Sequence, residues 1–407
     1  MTRRSDQIMR AAAYLFRDAG YQNVSVDEIG AAVGLTGPAV YRHFAGKHDI
    51  LVRTLIGQVE LVQDMARRAA EGTAPPERRL AGLLTDLENH AVHRDEAMLW
   101  RRERRHLRPA EREQFRAAFG TVQRHTRSTL AAARPELGDG ALELLSLALL
   151  SLYGNTPEIR AGLDDARLGA AQGAIARAIA WCALPESAVA AAPPPQSERI
   201  PAGRRERVIA AAAALFNDRG FHDVRVDDIA RAAGISGATL YQSFPTKTQI
   251  LRAVLERGAE GLLYVTAEAL AQTPDVLDTL VGTYVDQALG MHGRTMRILA
   301  TDAVYLDEHV RQALRAAQRE YVAEWVEAVR ARHPGHPSAE AHAVALAVIG
   351  VVTDLSQTRR IRTRPNIRAE LRLLGHAMLT PPRSTLPSAA PGECETGAMT
   401  EPTGQRR

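Results

Sequence analysis

"YRHFAGKHDIL" (Tyr41–Leu51) and "YQSFPTKTQIL" (Tyr241–Leu251) contain the only two lysines of a 407-residue chain, each at the same internal position. The remaining Lys/Arg positions are all arginine. The coincidence points to an internal repeat, and the flanking residues supply it. Arg4–Leu51 aligns without gaps to Arg204–Leu251, with 20 identities in 48 positions, among them Ala11–Ala13, Phe16, Gly20, Asp27, Ile29, Gly34, Gly37, Tyr41, Phe44 and Lys47. Self-similarity at a fixed offset marks a duplicated structural unit. A weaker echo follows, in which "MLWRRERRHL" (Met98–Leu107) meets "MRILATDAVYL" (Met296–Leu306) once one half absorbs a residue.

The rest of the chain bounds what this unit belongs to. With 45% hydrophobic and 24% charged residues the composition is that of a soluble globular protein, long enough for two or three cores. Abundant Ala, Leu, Arg and Glu with only 5% aromatics favours helices over strands. A formal charge of +4 includes no large basic tail, yet a small excess near phosphate-facing helix ends is enough for DNA. Cys182 and Cys394 form neither a disulfide framework nor a zinc pattern and fit a reducing cytoplasm. The N-terminus lacks the apolar core of a signal peptide, and "LLSLALLSLY" (Leu144–Tyr153) and "ALAVIGVV" (Ala345–Val352) are short for a bilayer span. They read as buried helices, and no membrane partner is expected.

Within one repeat, Ile8, Ala11, Ala12, Leu15 and Phe16 fall at helical spacing, and Gly20 stops the helix. Ser25 with Glu28 is a capping box for a second helix whose core face is Ile29, Ala32 and Val33, ending at Gly34. Thr36 caps a third, with Pro38 in its first turn, and Ser236 does so in the second copy. Arg225 stands where Ser25 caps the first copy, so Asp223 or Asp227 takes over that end, or the helix starts less well. Two short helices joined at Gly34-Leu35-Thr36 make a helix-turn-helix. On its third helix Val40 and Phe44 (Leu240 and Phe244) pack inward. Gly37, Pro38, Ala39, Arg42 and His43 point outward, as do Gly237, Ala238, Thr239, Gln242 and Ser243. Small residues in the first turn allow close entry to the major groove; Pro38 and the Thr239 methyl suit thymine methyls, and Arg42 and Gln242 suit base edges. Lys47 and Lys247 open a fourth helix, whose free N–H groups and partial positive charge favour an anion.

"VGLTGPAVYRHFAGKHDIL" and "AGISGATLYQSFPTKTQIL" resemble the N-terminal DNA-binding domain of TetR-family transcriptional regulators, over roughly fifty residues in each half. The whole layout resembles the tandem regulators of this family in actinobacteria. The resemblance implies an all-α fold of two tandem modules, each a helix-turn-helix domain plus a helical ligand-binding and dimerisation-like core, packed as an intramolecular pseudo-dimer. Its expected divisions are 1–51 and 204–251 for the two heads, 52–183 and 252–379 for the cores, 184–203 for a Pro- and Ala-rich linker, and 380–407 for a disordered tail. Phosphate contacts are implied for Tyr41, Tyr241, His43, Ser25, Arg225, Lys47 and Lys247, with Thr36 and Ser236 at the same surface.

The implied function is a cytoplasmic repressor that binds a double-stranded DNA operator with unequal half-sites and is released by a small lipophilic effector. A monomer would serve as its own dimer, with further self-association on DNA left open. The alternative is a helical ligand-binding or scaffold protein whose heads no longer bind DNA. Trp100, Glu103 and Arg104 form a candidate ligand-pocket wall with an anion anchor. His90 and His93 lie one turn apart without a third ligand at a telling spacing, and no Gly-rich phosphate loop, nucleophile elbow or paired carboxylates occur. Neither metal, cofactor nor enzyme activity is expected.

Overall fold

The computed structural model describes residues 3–93, 99–160, 162–185, 201–290 and 293–380. All but the ends of the expected linker, and the expected tail beyond Thr380, lie outside these residues. Among the described residues there is no strand, and each half contributes ten helices in the same order. In the first half these are α1 (Arg3–Ala19), α2 (Val26–Ala32), α3 (Gly37–Val40), α4 (Lys47–Glu71), α5 (Pro76–Val92), α6 (Leu99–Glu103), α7 (Pro109–Ala133), α8 (Asp139–Gly154), α9 (Thr156–Arg160) and α10 (Asp165–Ala180). In the second they are α11 (Arg204–Arg219), α12 (Val226–Ala232), α13 (Gly237–Ser243), α14 (Lys247–Leu270), α15 (Val276–Leu289), α16 (Gly293–Asp302), α17 (Glu308–Arg332), α18 (Ser338–Gln357), α19 (Arg359–Arg362) and α20 (Ile367–Leu379).

Each head is built from its first three helices around the start of the fourth. On α1 the buried stripe is Ile8, Ala12, Ala13 and Phe16, while Ala11 and Leu15 are half-buried, a small rotation from the expected face. Ile29 of α2 is buried and Val33 half-buried, but Ala32, expected beside them, is exposed at the last position of α2. Gly34, at φ +67°, closes α2: its N–H bonds to Ala31 O (3.1 Å) and the Leu35 N–H to Gly30 O (2.8 Å). This paired closure needs a left-handed residue, which glycine adopts without a side-chain penalty. Gly234 repeats it at φ +65°.

α4 runs unbroken across the expected boundary at residue 51, packing on α1 in the head and on α5 and α7 in the core. α14 does the same against α11, α15 and α17. Head and core therefore share one rod in each half, and a shift of the rod's core end must move its head end.

The two cores meet as the apolar runs suggest. α8 and α10 pack against α18, and α10 also against α20. Leu145, Leu149 and Leu152 on one side and Val344, Val348 and Val352 on the other are buried; each such side chain contributes about 1.5–3 kcal/mol when removed from water. Ser151 Oγ donates to Asp354 at 2.6 Å and Asn155 Nδ2 at 3.2 Å, tying the halves through a polar pair within the apolar seam. A Cβ on Gly350 would fall 2.5 Å from Asn155 Oδ1, so a glycine is what lets α18 come this close to α8. α18 is the one helix among the described residues long and apolar enough to cross a membrane, and it is enclosed by α8, α10, α15, α17 and α20.

Candidate nucleic-acid interface

The third helix of each head carries the outward surface, and the two copies differ in shape as well as in residues. Val40 and Phe44, with Leu240 and Phe244, are buried and anchor the helix to the head. α13 is held by Ser236, whose Oγ accepts from the Thr239 N–H at 3.2 Å and lies 2.8 Å from Thr239 Oγ1. It continues to Ser243. Thr36 occupies the equivalent position without a side-chain cap bond. The counterpart of the Thr239 donor is the Ala39 N–H, and it goes to Thr36 O at 2.9 Å instead of to the threonine hydroxyl. α3 then ends at Val40, and the chain tightens, with Arg42 N bonding to Ala39 O and His43 N to Val40 O.

Tyr41 and Tyr241 are 57% and 50% exposed, unusual for rings of that size. Pro38, Arg42, Ala238, Gln242 and Ser243 are exposed, and Ala39, His43, Gly237 and Thr239 are half-buried. Gly37 is not outward as expected. It is buried against α2, where an added Cβ would fall 1.9 Å from Asp27 Oδ1. Its identity serves helix–helix packing; at Gly237 the same carboxylate stands off at 3.5 Å.

The second helices start differently too. Ser25 Oγ accepts from the Glu28 N–H at 3.2 Å, and Glu28 accepts from the Ser25 N–H at 2.7 Å, completing the capping box. The Ser25 N–H, and the Ser25 hydroxyl donating at 2.8 Å, hold the Glu28 carboxyl below its ordinary range. In the second copy neither Asp223 nor Asp227 takes over. Asp228, three residues past Arg225, accepts from the Arg225 N–H at 3.3 Å, which preserves half of the box and leaves the arginine side chain outside it.

The lysines are the main departure from the sequence reading. Both are turned toward the head's own backbone. Lys47 Nζ donates to Tyr21 O (2.9 Å) and Gln22 O (3.3 Å) and stands 4.6 Å from the Tyr21 ring centroid. Lys247 Nζ donates to Phe221 O (2.7 Å), His222 O (3.3 Å) and Val224 O (2.9 Å), 4.4 Å from the Phe221 ring centroid. An ammonium has three N–H donors, so Lys247 has none to spare. Burial lowers the pKa of both lysines. A compact ammonium can converge on carbonyls spaced around one turn, while a planar guanidinium fork cannot; this is why lysine interrupts an arginine chain here. The signal was present in the repeat, since residues 21 and 221 are both aromatic.

The same rings reach the cores. Tyr21 packs on His106 (centroids 5.0 Å apart), and Phe221 stacks on Tyr305 (5.6 Å). His106 and Tyr305 belong to short 3-10 turns after α6 and α16, and those two helices meet each other. Across that meeting Arg105 of the first half pairs with Asp302 of the second, and donates to Thr301 O at 3.2 Å. Asp302 is fully buried. Burial pushes its carboxyl upward while Arg105 opposes the shift.

Trp100, Glu103 and Arg104 do not form one wall. Trp100 lines a small apolar cavity of about 60 Å³ in the first core, with Val59, Val62, Leu87 and Tyr153. Glu103 is fully buried, 3.3 Å from His106 Nε2. Arg104 lies over the Trp100 ring at 5.6 Å and lines a different cleft, toward the second head. α6 is a single short turn followed by a 3-10 turn, so neighbouring side chains fan out instead of sharing a stripe.

Residues 8–54 and 208–254 each match the family model of bacterial regulatory proteins of the tetR family. Over 72 residues the chain is 40% identical to the HTH-type transcriptional activator FasR of Mycolicibacterium smegmatis, which covers 18% of this chain and 33% of that protein. Over 114 residues it is 30% identical to the HTH-type transcriptional repressor KstR2 of the same organism, covering 28% and 54%. The chain thus spans about a third to a half of the length of these curated relatives. A TetR-family transcriptional regulator from Bordetella parapertussis 12822 aligns over 44% of this chain and 94% of its own, at 22% identity and a TM-score of 0.39.

Proposed function

We propose that this chain, which carries one tetR-family N-terminal domain in each half, is a transcriptional regulator that binds double-stranded DNA with both heads at once. The observation that carries this reading is the pair of exposed third-helix surfaces fixed to one shared bundle. Pro38, Ala39, Arg42 and His43 form one surface, and Ala238, Thr239, Gln242 and Ser243 the other. Unequal readers in one chain call for an operator with unequal half-sites. Covalent connection keeps the second head at high effective concentration without subunit association. The exposed side chains of Tyr41 and Tyr241 bond phosphate in this reading, as do His43, Ser25 and Arg225. Lys47 and Lys247 contribute mainly by holding the turns at residues 21–22 and 221–224 and through their long-range field.

The chain acts in the cytoplasm as a repressor, released by a small lipophilic effector. The support for an effector is the cavity beside Trp100, whose lining includes Gln58, Val59 and Val62 of α4. A ligand that widens it displaces the rod whose other end carries the head. Release follows if the ligand binds the displaced arrangement more tightly than the DNA-bound one. Footprinting the full chain on the DNA upstream of its own gene tests the reading. A protected stretch spanning two half-sites supports it; absence of protection, together with elution from heparin at low salt, overturns it.

A further inference from the structure

The cleft that Arg104 lines has a volume of about 610 Å³ and lies between α7 of the first half and the end of α11 in the second head. Arg104, Arg105, Arg112, Arg116, Arg219 and Arg297 line it, against Asp218 and Asp223. Some of these cations have carboxylates of their own. Arg105 pairs with Asp302, Arg116 with Glu113, and Arg219 lies 3.7 Å from Asp228. Arg112 donates to main-chain carbonyls, Arg105 O at 3.1 Å and Leu107 O at 3.0 Å. Three rings, Phe115, Phe119 and Phe216, add apolar lining beside the arginines.

The other half of the repeat shows what an ordinary version of this surface looks like. With the one-residue shift of the echo, Arg104 and Arg105 correspond to Ala303 and Val304, and Phe115 and Phe119 to Leu314 and Gln318. Arg311 and Arg315 keep the places of Arg112 and Arg116, but both lie against Glu308. The residue equivalent to Glu308 is Pro109. Relative to the second half, the first therefore carries two more arginines and two more phenyl rings on one cleft, and its carboxylate, Glu113, holds Arg116 alone where Glu308 lies against both Arg311 and Arg315. A cavity of this size suits a small molecule and not a duplex. Arginine forks match phosphate oxygens in pairs, and phenyl rings take a flat or apolar group.

We infer that this cleft binds a small organic phosphate, its phosphates on the arginines and its flat or apolar part on Phe115 and Phe119. The ligand would bridge the first core and the second head and so bear on how the heads are held. Binding here does not require that the heads hold DNA, so failure of this inference leaves the regulator reading standing.

The test is isothermal titration of the full chain at constant ionic strength, with sodium pyrophosphate and with adenosine triphosphate as probes. The triphosphate is expected to bind more tightly than pyrophosphate. Arg112→Gln with Arg116→Gln should weaken it at least tenfold, whereas Arg311→Gln with Arg315→Gln should change it less than twofold. Arg116→Gln alone, at an exposed position, serves if the double variant melts early, with a loss of several-fold expected. No heat with either probe at millimolar concentration, or equal affinity in wild type and both cleft variants, would overturn the site. So would a loss seen only for duplex DNA, which would make the arginines DNA contacts.

Discussion

Lys247 Nζ donates to the Phe221 carbonyl at 2.7 Å while standing 4.4 Å from the centroid of the same residue's ring. One side chain thus fixes both the backbone and the ring of a turn within the head, whose ring packs on Tyr305 of the core. Lys47 and Tyr21 repeat the relationship at 2.9 Å and 4.6 Å.

Lys247→Met removes three charge-assisted donors from the carbonyls of one turn. It should destabilise the second head by about 1.5–3 kcal/mol, the ordinary worth of hydrogen bonds to a charged group. Lys247→Arg should recover less than half of this, because the fork cannot converge on three carbonyls. Urea unfolding measures both. The salt dependence of DNA binding should change by less than one ion in Lys247→Met; a drop of a full unit would return the lysine to the phosphate.

Asp302→Asn leaves Arg105 buried without its counter-charge and should cost about 3–5 kcal/mol. Removing both partners, Arg105→Met with Asp302→Asn, should cost less than Asp302→Asn alone. Additive losses in that cycle would show that the pair does not couple the halves.

Arg225→Ser restores the residue that completes the capping box in the first head, where Ser25 and Glu28 bond reciprocally. It should stabilise the second head by about 0.5–1 kcal/mol. If Arg225 also touches phosphate, the same variant should bind every DNA sequence more weakly. Stability and affinity then move in opposite directions, which thermal melting and titration against a DNA duplex will report.

His222 lies 4.3 Å from the Tyr305 ring, and burial, then Lys247, His106 and Arg105, lower its pKa below the ordinary 6.5. Well above pH 6.5 the ring is neutral both folded and unfolded. As pH falls through that value the unfolded chain takes up the proton first, so stability drops until the folded value is passed. The melting temperature should fall between pH 7 and pH 5.5, and His222→Gln should flatten that fall. An unchanged profile in the variant would assign the pH dependence to other groups.

The heads were legible because their determinants are local. Glycines at positive φ, a serine three residues before an acid, and apolar residues three and four apart each specify structure within one turn of themselves. The lysines were legible in position but not in direction. A helix start favours an anion by its own field, and the carbonyls that win the ammonium lie 23 to 26 residues earlier, brought close only by tertiary packing. Trp100 and Glu103 lie in α6 and Arg104 opens the 3-10 turn after it, and that change of helix type sends the three side chains to different surroundings. Arg105 and Asp302 come from opposite halves, 197 residues apart, and nothing near either residue announces the other.

Tyr41→Phe and Tyr241→Phe remove exposed hydroxyls and should leave stability within about 0.5 kcal/mol of wild type. Each should weaken binding to all DNA sequences by a similar factor, as loss of a phosphate contact does. A loss confined to particular bases would place the ring in the groove instead.

The central claim is that two unlike heads on one bundle read one asymmetric operator. Selection of binding sites from random duplex DNA by the full chain tests it most directly. The account predicts an enriched sequence with two dissimilar half-sites at a fixed spacing, each lost separately when Arg42→Ala or Gln242→Ala is used. A perfect palindrome as the optimum, or no enrichment at all, would contradict it.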